Sequence, residues 1–137
     1  MNIGSITDLT KEEVKKVAIG IPESVPAGSY AQEALTSVKL WGTLHAKLVQ
    51  SIDVRQVLQY VETGNVDVGF VYKTDALTSQ KAKIAFEVDP KTYSPVEYPI
   101  GIVKASKHSR DAEDFYAYLQ SKESLDIMVK YGFSIPK

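Results

Sequence analysis

Three short segments hold residues whose types and spacing suit the binding of an anion. They are Val25-Pro26-Ala27-Gly28, Asp53-Val54-Arg55, and Tyr72 with the Lys73-Thr74-Asp75 that follows it. Proline is favoured at the first position of a helix, where its missing amide hydrogen would be unpaired in any case. The next amides, of Ala27 and Gly28, are then expected to point out of the helix end, and Gly28 has no side chain to obstruct a close approach. With the partial positive charge of a helix N-terminus, that makes a place for an anion. Asp53 is a good N-cap, its carboxylate taking an amide at the second or third helical position, so the Val54 amide is left for an external acceptor. Arg55 in the same first turn reads as a solvated side chain. Tyr72 closes the apolar run VDVGFVY and offers a hydroxyl donor at a strand end. Each segment also has a plainer reading. Pro-Ala-Gly starts a helix, Asp53 caps one, and Tyr72 packs with its hydroxyl in water.

The elements that must position these residues alternate along the chain. Val17-Ala18-Ile19-Gly20-Ile21, closed by Pro22, is predicted to be a buried strand. A helix follows, with Tyr30, Ala31, Ala34, Leu35 and Val38 at helical spacing. Trp41 to Leu48 suits a short helix, and Leu48-Val49 a brief strand. Val54, Val57, Leu58 and Val61 form one face of a further helix, for which Gly64 supplies the stop. Strands are expected at 66–72, 83–88 and 100–103. Two helices close the chain, one with Ala112, Phe115, Tyr116 and Leu119 on a face, the other with Leu125, Met128 and Val129 inward and Gly132 ending it. Strands separated by helices of this length predict an α/β fold with a mainly parallel sheet flanked by helices. In such a sheet ligands bind beyond the carboxyl ends of the strands, where all three segments fall.

Other chemistries find little support. His45 and His108 lack metal-ligand spacing, and there is no Gly-x-Ser-x-Gly elbow, P-loop or dinucleotide glycine pattern. The absence of cysteine excludes disulfides, thiolate metal sites and a Cys nucleophile. Sixteen Lys and Arg against seventeen Asp and Glu create no field suited to nucleic acid or an anionic membrane. No run approaches the ~20 apolar residues of a membrane span. The expectation is a binding protein, not an enzyme, with no cofactor. The 137 residues suffice for one core without staples.

Taken together, the ordered segments SITDL, VKKVAIGIPESVPAGSYAQEAL, DVRQVLQYVETGNVDVGFVYKTDA and VEYPIGIVK resemble the molybdate-binding receptors of bacterial ABC uptake systems. The ending DFYAYLQSKESLDIMVKYGF is similar to the C-terminal helices of that group, and the resemblance spans essentially the whole chain. It implies a periplasmic-binding-protein-like lobe of a two-lobed receptor that closes on a tetrahedral dianion. The implied ligands are the backbone amides of Ala27 and Val54 and the hydroxyl of Tyr72, supported by Gly28 and Asp53. Molybdate and tungstate are nearly the same size and both suit such a pocket, whereas sulfate is smaller and leaves donors too far away.

The resemblance also implies an incomplete receptor. The family's first lobe supplies two further segments, each with a serine at a helix start, that precede Met1. Ser5 and Ser24 match second-lobe positions and do not replace those serines. Residues 1–97 are then expected to form the second lobe. Residues 98–137, after a return crossing near Glu97 to Pro99, would belong to the incomplete first lobe. Binding should be weakened accordingly. The partners implied are the oxyanion and an ABC permease. Because residues 100–133 carry apolar helix faces with nothing to pack on, a homodimer through them is expected. The alternative is a module that no longer binds anion and serves interaction or oligomerisation. Family members are periplasmic or extracellular and membrane-anchored. No signal peptide is read in this sequence, so the expectation for the chain as given is the cytoplasm.

Overall fold

Val17–Gly20 (β1) is buried along its whole length because it is the middle strand of a parallel sheet with helices on both faces. The computed structural model describes residues 1–136. In it β1 lies between Leu48–Ser51 (β2) and Val68–Gly69 (β3), in the order β2-β1-β3. The β1–β2 register runs from Val17 opposite Leu48 to Gly20 opposite Ser51. Six α-helices complete the described chain: Pro26–Ser37 (α1), Trp41–Leu44 (α2), Val54–Glu62 (α3), Lys73–Ala76 (α4), Ser109–Leu119 (α5) and Lys122–Lys130 (α6).

Side-chain alternation divides the core into two layers. On one face Leu48, Val68 and Phe70 pack with Leu9, Leu35 and Leu44, under α1 and α2. On the other, Ala18 and Val49 pack with Val57, Val61 and Val66 beneath α3. The apolar periodicity of α1 and α3 therefore points at opposite faces of one sheet, as the α/β reading predicts.

Helix ends follow local chemistry. At the end of α3, Gly64 has φ +73. Its amide donates to the Val61 carbonyl (3.1 Å) and that of Asn65 to the Tyr60 carbonyl (2.9 Å), a Schellman closure. The end of α6 repeats this, with the Gly132 amide on Val129 and the Phe133 amide on Met128. In α1 the same pair of bonds forms, Lys39 to Thr36 and Leu40 to Leu35, but a lysine holds the left-handed position at φ 62. Lys39→Gly is expected to stabilise the protein by about 0.5–1 kcal/mol, since Gly avoids the Cβ clash of that conformation at some entropic cost. A higher urea midpoint with an unchanged slope would show it.

Several short elements, α4 and two 3-10 turns among them, have no counterpart in the predicted set. Ile6–Thr10 forms a 3-10 turn whose start is held by Asp8, which accepts from the Gly4 (2.8 Å) and Ser5 (3.1 Å) amides. The Gly4 amide and the Lys11 ammonium hold Asp8 below the usual carboxylate range. Its end is held by Lys47, whose Nζ donates to the carbonyls of Leu9, Thr10 and Lys11. The Ser5-x-x-Asp8 spacing is the sequence signal for such a start.

Three predicted strands are shorter or absent. Of residues 66–72 only Val68–Gly69 ladder on β1, although the Phe70 amide still reaches the Ala18 carbonyl (3.0 Å). Residues 83–88 make no backbone hydrogen bond among the described residues. In 100–103 only the Val103 carbonyl is used, accepting from Ser106. An apolar alternating run is a strand only when a neighbour supplies the ladder, and neither segment has one here.

The chain divides into two compact units, Met1–Pro95 and the residues from Val96 on. The first contains the sheet and both core clusters. In the second, α5 and α6 pack on each other and Tyr98 meets Phe133 edge-on at 6.5 Å. Among its described residues only Ser124 is buried.

Candidate anion-binding site

The three sequence-selected segments emerge from the carboxyl ends of the three adjacent parallel strands. β1 ends at Gly20, opposite the end of β2 at Ser51, and the Ile21 amide extends the pairing to the Ser51 carbonyl (2.9 Å). After β1 the chain turns at Ile21, whose carbonyl accepts from Ser24 and Val25, and enters α1 at Pro26. After β2 it enters α3 at Val54, and after β3 it reaches Tyr72, which precedes α4. The starts of α3 and α1 and the residue Tyr72 thus follow the ends of β2, β1 and β3 respectively.

Accounting for the first-turn amides separates used donors from open ones. In α1, Pro26 has no donor, and the Gly28 (2.9 Å) and Ser29 (3.1 Å) amides both donate to the Val25 carbonyl. The Ala27 amide finds no acceptor among the described residues. This corrects the expectation that Gly28 offers an outward amide. Its glycine serves packing instead, because an added Cβ would stand 2.0 Å from the Gly20 carbonyl oxygen. Gly20 is itself crowded by Val25, so the two glycines let the first turn of α1 rest directly on the end of β1.

In α3, Asp53 caps as predicted, its Oδ1 accepting from the Gln56 amide at 2.8 Å. Gln56 answers with Oε1, which accepts from the Ile52 amide at 2.9 Å. The Val57 amide reaches the Asp53 carbonyl (3.3 Å), while those of Val54 and Arg55 find no acceptor among the described residues. Two helices of twelve and nine residues therefore each direct open amides past neighbouring strand ends. The Arg55 side chain is exposed, as the sequence suggested. Tyr72 is partly buried, and its carbonyl accepts from the Asp75 and Ala76 amides to start α4. Lys73 pairs with Glu87 at 3.0 Å, so its charge is engaged with a carboxylate.

Three features of this edge escaped the sequence reading. Gln56 completes a reciprocal cap for which Asp53-x-x-Gln56 was the signal. Ser51, 1 % exposed at the end of β2, has a hydroxyl with no partner among the described residues. Glu33 on α1 accepts from the amide (2.6 Å) and hydroxyl (3.2 Å) of Ser94, pinning the segment beyond Pro90 to the helix, where Tyr93 also meets Tyr30. Among the described residues no group of three or more His, Asp or Glu is placed to hold a metal ion. No described helix is long and apolar enough to cross a membrane.

Residues 1–134 match the family model of the bacterial extracellular solute-binding proteins. The chain is 53% identical over 96% of its length to YvgL of Bacillus subtilis, named as an ABC transporter substrate-binding lipoprotein, and covers 50% of it. It is 41% identical over 86% of its length to the molybdate-binding protein ModA of Haemophilus influenzae, covering 46% of that protein. The chain thus spans about half the length of the curated relatives it matches. Among solved structures, the substrate-binding domain described for a molybdenum ABC transporter of Clostridium difficile superimposes with a TM-score of 0.91 and 42% identity. That match covers 98% of this chain and 59% of the other. The Azotobacter vinelandii periplasmic molybdate-binding protein shares the fold at a TM-score of 0.75 and 21% identity, over 94% of this chain and 58% of its own. These relatives are solute-binding transport proteins rather than enzymes, in agreement with the reading of a binding role without a cofactor. From the match over nearly its whole length, this chain belongs to the bacterial extracellular solute-binding protein family.

Proposed function

We propose that this chain is the oxyanion-binding second lobe of a molybdate receptor of an ABC uptake system. In this reading the Ala27 and Val54 amides and the Tyr72 hydroxyl hold a tetrahedral dianion. The observation that carries the proposal is the pair of open amides. Each helix leaves a donor without an internal acceptor, and both helices start at neighbouring ends of one parallel sheet. Relatives named for molybdate supply the choice of oxyanion. Gly28 supports the site by seating α1 on Gly20, and Asp53 by consuming the Gln56 amide and leaving Val54 open.

Hydrogen-bond donors fixed by backbone geometry select by size. Molybdate and tungstate, of nearly equal radius, satisfy the same donors, whereas sulfate leaves them at longer, weaker distances. The rest of the pocket belongs to the half of the receptor that relatives carry and this chain does not span. Residues 98–137 are assigned to that other lobe, which in this reading supplies about half the donors and the exclusion of water that full affinity needs. Like its lipoprotein relative, the receptor would work outside the cell membrane and deliver its anion to an ABC permease.

A second reading, of a module that serves association instead of anion binding, draws on the exposed apolar side chains of residues 96–136. It adds a second copy of the chain as a partner through residues 100–133.

The Tyr72 assignment has a direct test. Tyr72→Phe removes one donor and almost no packing. In a receptor completed with the missing half of a relative, it is expected to weaken molybdate binding by ~0.5–3 kcal/mol, the upper part applying to a desolvated anion. Calorimetric titration reads the change. Unaltered affinity would remove the Tyr72 hydroxyl from the ligand set.

A further inference from the structure

Tyr72 is positioned from two directions. On the strand side, β3 ladders on β1 at Val68 and Gly69, the Phe70 amide extends the pairing to the Ala18 carbonyl, and Val71 packs on the cluster beneath α3. On the other side, residues 72–79 are one hydrogen-bonded unit. The Tyr72 carbonyl accepts from Asp75 and Ala76, that of Lys73 from Leu77, that of Asp75 from Thr78 and that of Ala76 from Ser79. The unit ends on a polar tie to α3. The Ser79 hydroxyl donates to the Glu62 carboxylate and accepts from the Lys81 (3.2 Å) and Ala82 (3.0 Å) amides. Ser79 and Glu62 are both partly buried, and both belong to the Met1–Pro95 unit.

We infer that Ser79 and Glu62 are positioning residues of the anion site, their bond setting the Tyr72 hydroxyl against the Val54 amide. This rests on the anion-site reading above and deepens it. Val54 is the first residue of α3 and Glu62 the last, so one rigid helix about 12 Å long carries both the open amide and the anchor of the tie. The connection runs from Val54 along α3 to Glu62, across to Ser79, and back through α4 to Tyr72. The packing of Val71 keeps this segment close to α3, but apolar contact has no direction and permits small slides. A hydrogen bond to a carboxylate is directional and fixes the register of one element on the other. Selection of an anion by size needs that register, because donors must be held within about 0.5 Å of their productive geometry. The Lys73–Glu87 pair lies closer to Tyr72 in sequence, but both its side chains are at least half exposed, so it contributes little to placement.

The test is a double-mutant cycle read by calorimetric titration with molybdate, in the receptor completed as for the Tyr72 test. Ser79→Ala is expected to weaken binding by about three- to ten-fold, roughly the worth of one hydrogen bond, and by less than about two-fold once Tyr72 is phenylalanine. A loss that only reflected a less stable protein would be the same in both backgrounds. Glu62→Met breaks the same tie while leaving the Ser79 hydroxyl to its two amides. It should repeat the loss, and it carries the cycle if the alanine variant does not fold. Glu62→Gln keeps an acceptor oxygen and should bind within about two-fold of the parent. Glu87→Gln, which breaks only the exposed pair, should leave affinity unchanged. Parent affinity in both Ser79→Ala and Glu62→Met overturns the inference, as does an equal loss with and without the Tyr72 hydroxyl. So does a loss from Glu87→Gln as large as that from Ser79→Ala. If Tyr72→Phe itself leaves affinity unaltered, Tyr72 leaves the ligand set and this inference goes with it. A Tyr72→Phe effect uncoupled from Ser79 sinks this inference alone.

Discussion

Replacing Gly28 with alanine is expected to destabilise the protein by about 1–3 kcal/mol or more, the range of an overpacked core, because nothing around it can move aside. The added Cβ would stand 2.0 Å from the carbonyl oxygen of Gly20 and 2.5 Å from its carbon. These are backbone atoms at the end of the central strand, where Gly20 is paired with Ser51 of β2. Relief would have to come from a shift of α1, which carries the Ala27 amide with it. Stability and anion binding should therefore fall together. Gly42→Ala is the control: its Cβ meets nothing within 4 Å, and alanine is the better helix former. A urea midpoint for Gly28→Ala equal to that of Gly42→Ala would show that α1 does not rest on β1 as described.

Leu35→Ala should cost 2–5 kcal/mol, roughly the range for emptying a leucine site in a core. Leu35 is fully buried against Leu9 and Leu44, and neighbours from the sheet and the first 3-10 turn close around it. The cluster joins the first residues of the chain to the sheet, so its loss should loosen both. Ile52, 70% exposed beside the α3 cap, provides the contrast. Truncating it should change stability by no more than ~0.5 kcal/mol. Comparable losses for the two would contradict the assignment of the core to the α1 face of the sheet.

What was legible in the sequence is what is decided locally. The Pro26 start, the Asp53 cap and the Gly64 and Gly132 stops depend on residues within one helical turn, and the structure places all four where they were read. The α5 and α6 faces were likewise periodic, and Phe115, Tyr116, Met128 and Val129 on them are exposed. The misses depend on distant partners. Residues 83–88 and 100–103 have strand-like composition but no neighbouring strand among the described residues. Gly28 looked like an opening for a ligand because its real neighbour, Gly20, is eight residues earlier and arrives only with the fold. The lysine at position 39 hid a Schellman closure that composition associates with glycine. At the candidate site, the Asp53 cap and the open first-turn amides of Ala27 and Val54 were legible because helix-end chemistry is local. The Gln56 answer to Asp53 was also local and was overlooked.

The edge formed by α1, α3 and Tyr72 is proposed to recognise a large tetrahedral dianion by size. Thermal unfolding in the presence of molybdate, tungstate or sulfate, each titrated to millimolar concentration at fixed ionic strength, tests it most directly. Molybdate and tungstate should raise the melting temperature, approaching about 2.7 kcal/mol of stabilisation at ~100 times the dissociation constant, while sulfate leaves it in place. An equal shift with all three anions, or a preference for sulfate, would contradict recognition by size.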